Sequence, residues 1–282
     1  MTAADPAATP SANWPDGRQV AVSLTFDVDA EAGFLGDGEQ YSRRLTTLSE
    51  GRFGVTRGLP RILALLARHG IRGTFFVPGY TAELHPDAVT AILADGHEIG
   101  HHGYLHLRND LVSAGEQRTE IERGLEALAA AGAPRPAGYR SPAWEMTPET
   151  LSLLVEYGFG YDSSCMGDDR PYLETWDGDT ILELPVHWSL DDWPRFGWSI
   201  DHGGNVAHPA ELFDSWHAEY CAARTEGRLV TYTMHPEVIG RAYRLAQLER
   251  MIDMMAGAGD VWFAPLADIA RHAAPQLHAE AS

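Results

Sequence analysis

The chain alternates short apolar segments with longer amphipathic ones along most of its length. Segments such as "QVAVSLTFDV" and "LVTYTMH" are rich in β-branched and aromatic residues, which is typical of buried strands. Segments such as "GLPRILALLARHG" and "RLAQLERMIDMMAGAG" carry apolar residues at helical spacing and end on glycine. Thr147 followed by Pro148 predicts the start of a further helix, "TPETLSLLVEYG". Strands regularly followed by helices predict an α/β fold with a mostly parallel sheet.

The number of strand–helix units predicts a closed or nearly closed barrel, and an open doubly wound sheet fits the same pattern. Two segments, 33–55 and 167–206, interrupt the alternation. Both are rich in Gly, Asp and aromatic residues and lack clear periodicity. Long loops after barrel strands lie on the face where chemistry occurs, so we expect both segments to form walls of a site.

Composition narrows the classes of partner. Hydrophobic residues make up 44% of the 282 positions, enough for a large core, and the formal net charge of −19 disfavours nucleic acid, anionic glycopolymers and anionic membranes. The N-terminus has no basic start and no apolar run of secretion-signal length, so we expect a cytoplasmic protein with free thiols at Cys165 and Cys221. Residues 1–13 are predicted to be a mobile lead-in, and residues 14–282 a single domain.

Acidic side chains follow the first predicted strand. The stretch "TFDVDAE" places Asp27, Asp29 and Glu31 at alternate positions, which share one face of an extended chain. Three neighbouring carboxylates repel one another unless solvent, a basic group or a cation offsets their charge. A solvated strand end satisfies this pattern; so does a carboxylate that binds metal beside one that acts as a base.

Histidines follow another predicted strand, in "GHEIGHHGYLH". His102 and His106 share one face if the segment is helical, which lets two imidazoles reach one ion, although this spacing is weak evidence alone. His102 and Asp29 both follow ends of predicted parallel strands, and such ends converge in space. We therefore hypothesise a metal site there, whereas His97 and His101 are interpreted as residues without a role in it.

Two further stretches carry candidate chemistry. His235 ends the strand "LVTYTMH" and is either a proton donor, since the unperturbed pKa of histidine is about 6.5, or a structural residue. In "GYRSPAW", Pro142 lacks an N–H and fixes the chain direction, so the N–H of Ala143 can point into a site. If Arg140 lies beside the acids, it would hold a carboxylate in place and lower its pKa. The alternative interpretation, which the sequence supports equally, is that Arg140 is a surface cation.

Taken together and in order, "TFDVDAE", "HGYLH", "YRSPAW" and "TMHPE" resemble the motifs of the NodB-homology polysaccharide deacetylases, carbohydrate esterase family 4. The resemblance covers about residues 14–270. It is strongest to a cytoplasmic branch that includes allantoinase-like proteins, cyclic imide hydrolases and a peptidoglycan-deacetylase-like group. The resemblance implies a distorted (β/α) barrel of the NodB type, and for residues 14–282 a single deacetylase or amidohydrolase domain.

The resemblance also implies a role for individual residues. Asp27 would be the general base, tethered by Arg140, and His235 would protonate the leaving nitrogen. The backbone N–H of Ala143 would contribute to an oxyanion hole. One divalent metal ion, usually zinc in this family, would be held by Asp29, His102 and His106.

Other roles implied by the resemblance are less sharply placed. Asp191 or Asp192, in "LDDW", would support Arg140 or His235, and Asp192 is favoured. The related cytoplasmic enzymes suggest a homotetramer, with segments 33–55 and 167–206 as candidate contact surfaces. Substrate contacts are predicted for Tyr139, Pro142 and Trp144.

The sequence also departs from the family pattern. Val28 separates two aspartates that are usually adjacent, and Gly103 replaces a Ser or Thr after the first histidine. Ala143 and Trp144 stand where polysaccharide enzymes tend to have Tyr and Gly, and the bulk of Trp144 would narrow a substrate groove. The change at Trp144, the long segments 33–55 and 167–206 and the expected location disfavour a polymeric substrate.

The predicted activity is metal-assisted hydrolysis of a non-peptide C–N bond. The favoured substrate is a small cyclic imide, ureide or amide, and the alternative is an N-acetylated sugar or peptidoglycan fragment. Two remote alternatives are a non-haem iron oxygenase, which shares the two-His, one-carboxylate ligand set, and an inactive binding protein.

Overall fold

The computed structural model describes residues 14–201, 203–204 and 206–280. The predicted lead-in, residues 1–13, lies outside the described residues. Eleven strands occur in the described part of the chain: β1 Val20–Asp27, β2 Thr74–Val77, β3 Glu98–His101, β4 Gly138–Tyr139, β5 Tyr161–Asp162, β6 Tyr172–Trp176, β7 Asp179–Glu183, β8 Trp198–Ser199, β9 Gly203–Gly204, β10 Leu229–Met234 and β11 Val261–Phe263.

The α-helices surround these strands and follow most of them along the chain. Thr147 caps the N-terminus of one of them, as predicted. The helices are α1 Ala30–Leu35, α2 Leu45–Phe53, α3 Leu59–His69, α4 Gly79–Leu84, α5 Pro86–Ala94, α6 Ala114–Ala130, α7 Pro148–Glu156, α8 Trp193–Phe196, α9 Pro209–Glu226, α10 Pro236–Ile239, α11 Ala242–Ala258 and α12 Leu266–Glu280.

Nine strands form one curled sheet in the order β10-β1-β2-β3-β4-β5-β7-β6, and β11 also pairs with β1. The pairs are parallel apart from the antiparallel β6–β7 pair. β10 pairs with β1 over Ala21–Phe26, so β11 and β2 share the opposite edge of β1. The result is a half-barrel of mostly parallel strands, which confirms the predicted distorted (β/α) barrel.

Strand β1 is buried at every position and divides the interior into two layers. Its residues Val20, Val22, Leu24 and Phe26 join the large apolar cluster that packs against the surrounding helices. The alternate residues point to the opposite face because side chains alternate along a strand. That face carries Ala21, Ser23, Thr25 and Asp27, so its polar side chains continue to the carboxyl end of the strand.

Segment 33–55 is largely helical, which corrects the prediction of an irregular loop. It contains the end of α1, a 3₁₀ turn and α2, and it enters a π-helical turn at Gly54–Gly58. A Cβ on Gly51 would lie 2.4 Å from the carbonyl oxygen of Ala30, and one on Gly58 would lie 2.0 Å from that of Pro236. These helices contact neighbouring segments through backbone atoms at glycine, so their packing does not depend on an apolar face.

Segment 167–206 is also partly regular, since it includes β6, β7, α8 and β8 with part of the β8–β9 hairpin. Cys165 and Cys221 are both free thiols, as expected. Among the described residues, no helix combines the length and apolar character that a membrane crossing requires.

Candidate active site

The carboxyl ends of the parallel strands meet around one cavity of about 280 Å³. Asp27 is the last residue of β1, and His235 directly follows β10. His102 follows β3 in the same way, so three parallel strands of one sheet deliver polar groups to one place. The cavity is lined by Asp27, Asp29, Ala30, Gly33, Phe34, Asp37, His102, His106, Ala143, Trp144, Trp188, Asp191, Trp193, His235 and Glu237.

Asp29, His102 and His106 come together at the base of this cavity. The Nε2 atom of His102 lies 3.5 Å from Asp29 Oδ1, and the Nε2 atom of His106 lies 3.5 Å from Asp29 Oδ2. The segment from His102 to His106 is a loop rather than the helix that the spacing allowed, and His106 has a φ of 60°. The two imidazoles nevertheless converge, because their ring centroids are 5.0 Å apart.

This donor set fits a divalent metal ion. One donor atom from each of the three residues lies within 4.8 Å of the other two. His102 Nδ1 donates to the carbonyl oxygen of Arg140 at 2.7 Å, which leaves the lone pair on the Nε2 atom that faces Asp29. Asp29 Oδ1 is buried without a hydrogen-bond partner among the described residues, as expected of an atom whose partner is a cation. Two imidazoles and a carboxylate are ligands that zinc accepts.

Asp27 is held by Arg140, which is fully buried and therefore not the surface cation of the alternative interpretation. Arg140 Nη1 donates to Asp27 Oδ1 at 2.8 Å and to Thr25 Oγ1 at 2.9 Å. Its Nε and Nη2 donate to the carbonyl oxygen and the hydroxyl of Ser163, each at 2.9 Å. Burial raises the pKa of Asp27, but the charges of Arg140, His102 and His235 outweigh it and lower that pKa. Asp27 is therefore a carboxylate able to accept a proton.

His235 also lies close to Asp29, with its Nε2 atom 3.7 Å from Asp29 Oδ2. Its Nδ1 is hydrogen-bonded to Asp192 Oδ1 at 2.8 Å, and its backbone N–H donates to the same carboxylate at 3.1 Å. Asp191 is farther, at 3.6 Å from Nδ1. Burial lowers the pKa of His235, but Asp192, Asp191 and Asp29 outweigh it and raise that pKa well above its ordinary value. The geometry favours Asp192 as the partner of His235.

The turn Pro142–Trp144 brings an unusual backbone to the cavity. Ala143 has a φ of 53° and Trp144 a φ of 57°, so two consecutive non-glycine residues occupy the left-handed region. That region costs roughly 1–2 kcal/mol per residue, so the turn is maintained by its surroundings. Trp144 stacks on Trp188 with ring centroids 4.2 Å apart, and the pair forms an aromatic wall of the cavity.

Some predicted site residues lie elsewhere. Tyr139 and Pro142 are buried and are not among the residues that line the cavity, so their substrate contacts stay predictions. The hydroxyl of Tyr139 accepts a hydrogen bond from Asn109 Nδ2 at 3.0 Å. Glu31 leaves the face shared by Asp27 and Asp29 because α1 begins at Ala30, and Glu31 Oε2 instead lies 2.8 Å from His85 Nε2.

Sequence reasoning missed several residues that line the cavity. Glu237 is only 2% exposed, and burial, followed by the charge of Asp29, raises its pKa well above the ordinary value. It belongs to the "TMHPE" motif but received no role. Phe34 and Asp37 lie in a segment without periodicity, so their place could not be read from the sequence. Trp188 and Trp193 lie in segment 167–206, whose aromatic residues could not be placed individually from the sequence.

Comparison with known proteins decides the family. The model of the polysaccharide deacetylase family matches residues 16–161, more than half of the chain. This chain belongs to the polysaccharide deacetylase family. It is therefore a hydrolase that acts on non-peptide carbon–nitrogen bonds, as predicted, and the oxygenase alternative is wrong.

Three relatives of this polysaccharide deacetylase are similar to it over most of its length. A crystal structure of a Mycobacterium smegmatis protein assigned as a polysaccharide deacetylase is 42% identical, has a TM-score of 0.90 and covers 95% of each chain. A crystal structure of an allantoinase is 27% identical, with a TM-score of 0.82, over 94% of this chain and 93% of that one. A peptidoglycan deacetylase from Helicobacter pylori is 27% identical over 266 residues, which are 84% of this chain and 90% of the relative.

Proposed function

We propose that the chain hydrolyses a small cyclic imide, ureide or amide with the help of one divalent metal ion, for which zinc is the favoured candidate. The observation that carries this proposal is the size and lining of the cavity. Its volume of about 280 Å³ is just below the range of ~300–1,000 Å³ that is usual for ligand pockets. Its lining includes Trp144, Trp188, Trp193 and Phe34, and these aromatic walls suit a small planar substrate better than a polymer.

In the proposed mechanism, Asp29, His102 and His106 hold the ion. When bound, the ion supplies Lewis acidity for the substrate carbonyl and the attacking water. Asp27 accepts the proton of that water, since Arg140 keeps it ionised and in place.

The remaining groups act on the tetrahedral centre. The N–H of Ala143 donates to the developing oxyanion, the role that a preformed backbone donor performs at least cost. His235 gives the proton on Nε2 to the leaving nitrogen, while Asp192 holds the ring at Nδ1. Trp144 bounds the substrate, and Pro142 acts indirectly by setting the course of the turn.

A second candidate substrate is an N-acetylated sugar or peptidoglycan fragment. The relative from Helicobacter pylori is a peptidoglycan deacetylase, and its similarity extends over most of both chains. The same catalytic groups serve either substrate, because both reactions add water to a carbonyl attached to nitrogen. The small volume of the cavity and the tryptophans that line it favour the smaller substrate.

A hydrolysis panel distinguishes the two substrates. The purified chain is incubated with succinimide, hydantoin, dihydropyrimidine, allantoin and chitooligosaccharides, with and without added zinc. We expect turnover of at least one small cyclic compound, increased by zinc, and none of the oligosaccharides. Turnover of oligosaccharides alone would replace the favoured substrate by the second candidate.

Three further expectations stay predictions: a cytoplasmic location, a homotetramer and one domain over residues 14–282. Analytical ultracentrifugation of the purified chain tests the tetramer.

A further inference from the structure

The strained turn Pro142–Trp144 raises the question of what holds it. Ala143 and Trp144 both have positive φ, and Ala143 lines the cavity. A pair of left-handed non-glycine residues persists only where neighbouring groups determine the backbone. The contacts on either side of the turn are therefore a part of the active site's construction.

Ser141 is the anchor directly before the turn. Its backbone N–H donates to Ser164 Oγ at 2.8 Å, and its hydroxyl donates to the carbonyl oxygen of Glu145 at 2.6 Å. Its carbonyl oxygen accepts the N–H of Trp144 at 2.9 Å. Asn109 Nδ2 also donates to the Ser141 hydroxyl, at 2.9 Å. Among these bonds of the described residues, the one to Ser164 connects Ser141 to the segment that follows the neighbouring strand β5.

Ser164 is in turn oriented by two buried carboxyl groups. Its hydroxyl donates to Asp162 Oδ1 at 2.9 Å, which leaves the oxygen lone pairs free to accept the N–H of Ser141. Its backbone N–H lies 3.0 Å from both Asp162 Oδ2 and Glu183 Oε1. The N–H of Cys165 also donates to Glu183 Oε1, at 3.1 Å.

The two carboxyl groups are buried side by side, and two such groups favour a proton shared between them. Asp162 and Glu183 are both 0% exposed and are direct neighbours in the parallel β5–β7 pair. Glu183 Oε2 is buried without a hydrogen-bond partner among the described residues, which a proton donated from it to Asp162 would remedy. Burial, followed by the charge of Asp162, raises the pKa of Glu183 well above its ordinary value.

We propose that Ser164, oriented by the proton-sharing pair Asp162 and Glu183, is a positioning residue that fixes the Pro142–Trp144 turn and with it the N–H of Ala143. This inference rests on the proposed function, in which that N–H binds the oxyanion. The adjacent Ser163 binds Arg140, so two consecutive residues position both the partner of Asp27 and the turn. None of Asp162, Ser164 and Glu183 lines the cavity, so their effect is indirect.

The test compares three variants on a substrate that the wild type hydrolyses. Ser164→Ala removes the acceptor of the Ser141 N–H, and we expect kcat to fall ~10- to 100-fold with KM changed less than about threefold. Ser164→Thr restores a hydroxyl and should recover most of that kcat. Ser23→Ala is the matched control, because Ser23 is equally buried on β1 and its hydroxyl has no hydrogen-bond partner among the described residues. Equal kcat values for Ser164→Ala and Ser23→Ala would overturn the inference.

Glu183→Gln tests the shared proton. The amide can donate to Asp162 and accept from Ser164, so kcat should stay within about twofold of the wild type, and a fall as large as that of Ser164→Ala would overturn this part. Asp162, Cys165 and Glu183 also lie close enough to hold an ion. If metal analysis found two ions per wild-type chain and one in Glu183→Gln, the pair would hold a metal ion and not a shared proton.

The inference and the proposed function fail in different ways. If the wild type turns over no compound of the panel, the proposed function is refuted. The role of Ser164 in fixing the turn is then tested by the structure of the variant. A crystal structure of Ser164→Ala should show Ala143 outside the left-handed region. An unchanged Pro142–Trp144 turn in that structure would overturn the inference whatever the activity.

Discussion

At the scale of residues, two histidines of one cavity are given different roles by what their Nδ1 atoms contact. His102 Nδ1 meets the carbonyl oxygen of Arg140, and burial, as the largest effect, lowers the pKa of His102. His235 Nδ1 meets the carboxylate of Asp192, and the charges around it raise its pKa despite burial. A neutral imidazole suits a metal ligand, whereas a protonated one suits a proton donor. The residue pattern alone suggested a metal site at His102 and left His235 open between a proton donor and a structural residue.

Replacing Asp192 tests the partner of His235. In Asp192→Asn the side chain loses its negative charge and has only one oxygen to accept hydrogen bonds from the Nδ1 and backbone N–H groups of His235. We therefore expect kcat to fall ~10²- to 10⁴-fold. Asp191→Asn should cost less, since Asp191 is 3.6 Å from His235 Nδ1 rather than 2.8 Å. Steady-state kinetics measure both variants. A larger loss in Asp191→Asn would assign the role to Asp191 instead.

At the scale of elements, the helices with apolar periodicity were predicted and those packed through glycine were missed. α3 and α11 show their buried faces in the sequence, as Ile62 and Leu66 of α3 illustrate. α2 and the π-helical turn Gly54–Gly58 instead approach other segments through backbone contacts at Gly51 and Gly58. Such contacts depend on three-dimensional proximity, which hydrophobic periodicity does not report.

Gly58 is therefore expected to be a sensitive position. In Gly58→Ala the new Cβ would meet the carbonyl oxygen of Pro236, directly after His235, and we expect a loss of ~1–3 kcal/mol in the free energy of unfolding. Gly257→Ala is the matched control, because it lies in α11 with no atom within 4 Å of the added Cβ and should gain ~0.5–1 kcal/mol. Urea denaturation measures both. Equal stabilities would contradict the tight packing of α10 on this turn.

At the scale of the whole molecule, the parallel strand order explains why distant motifs form one site. β10, β1, β2 and β3 lie side by side, so groups at their carboxyl ends converge, and this much followed from the predicted strand–helix alternation. The Asp162–Glu183 pair could not be predicted, because it depends on the register of β5 with β7. The position of Glu237 could not be predicted for a similar reason, because its burial in the cavity wall follows from the packing of α10 and not from its motif.

The central claim is that Asp29, His102 and His106 hold a divalent ion while Asp27 performs the base chemistry. Metal content and turnover measured together on the wild type, His102→Ala and Asp27→Asn test it most directly. We predict about one ion per chain in the wild type and in Asp27→Asn, a kcat at least ~10²-fold lower in Asp27→Asn, and loss of both metal and activity in His102→Ala. Undiminished turnover in Asp27→Asn, or in a metal-free His102→Ala, would contradict the account.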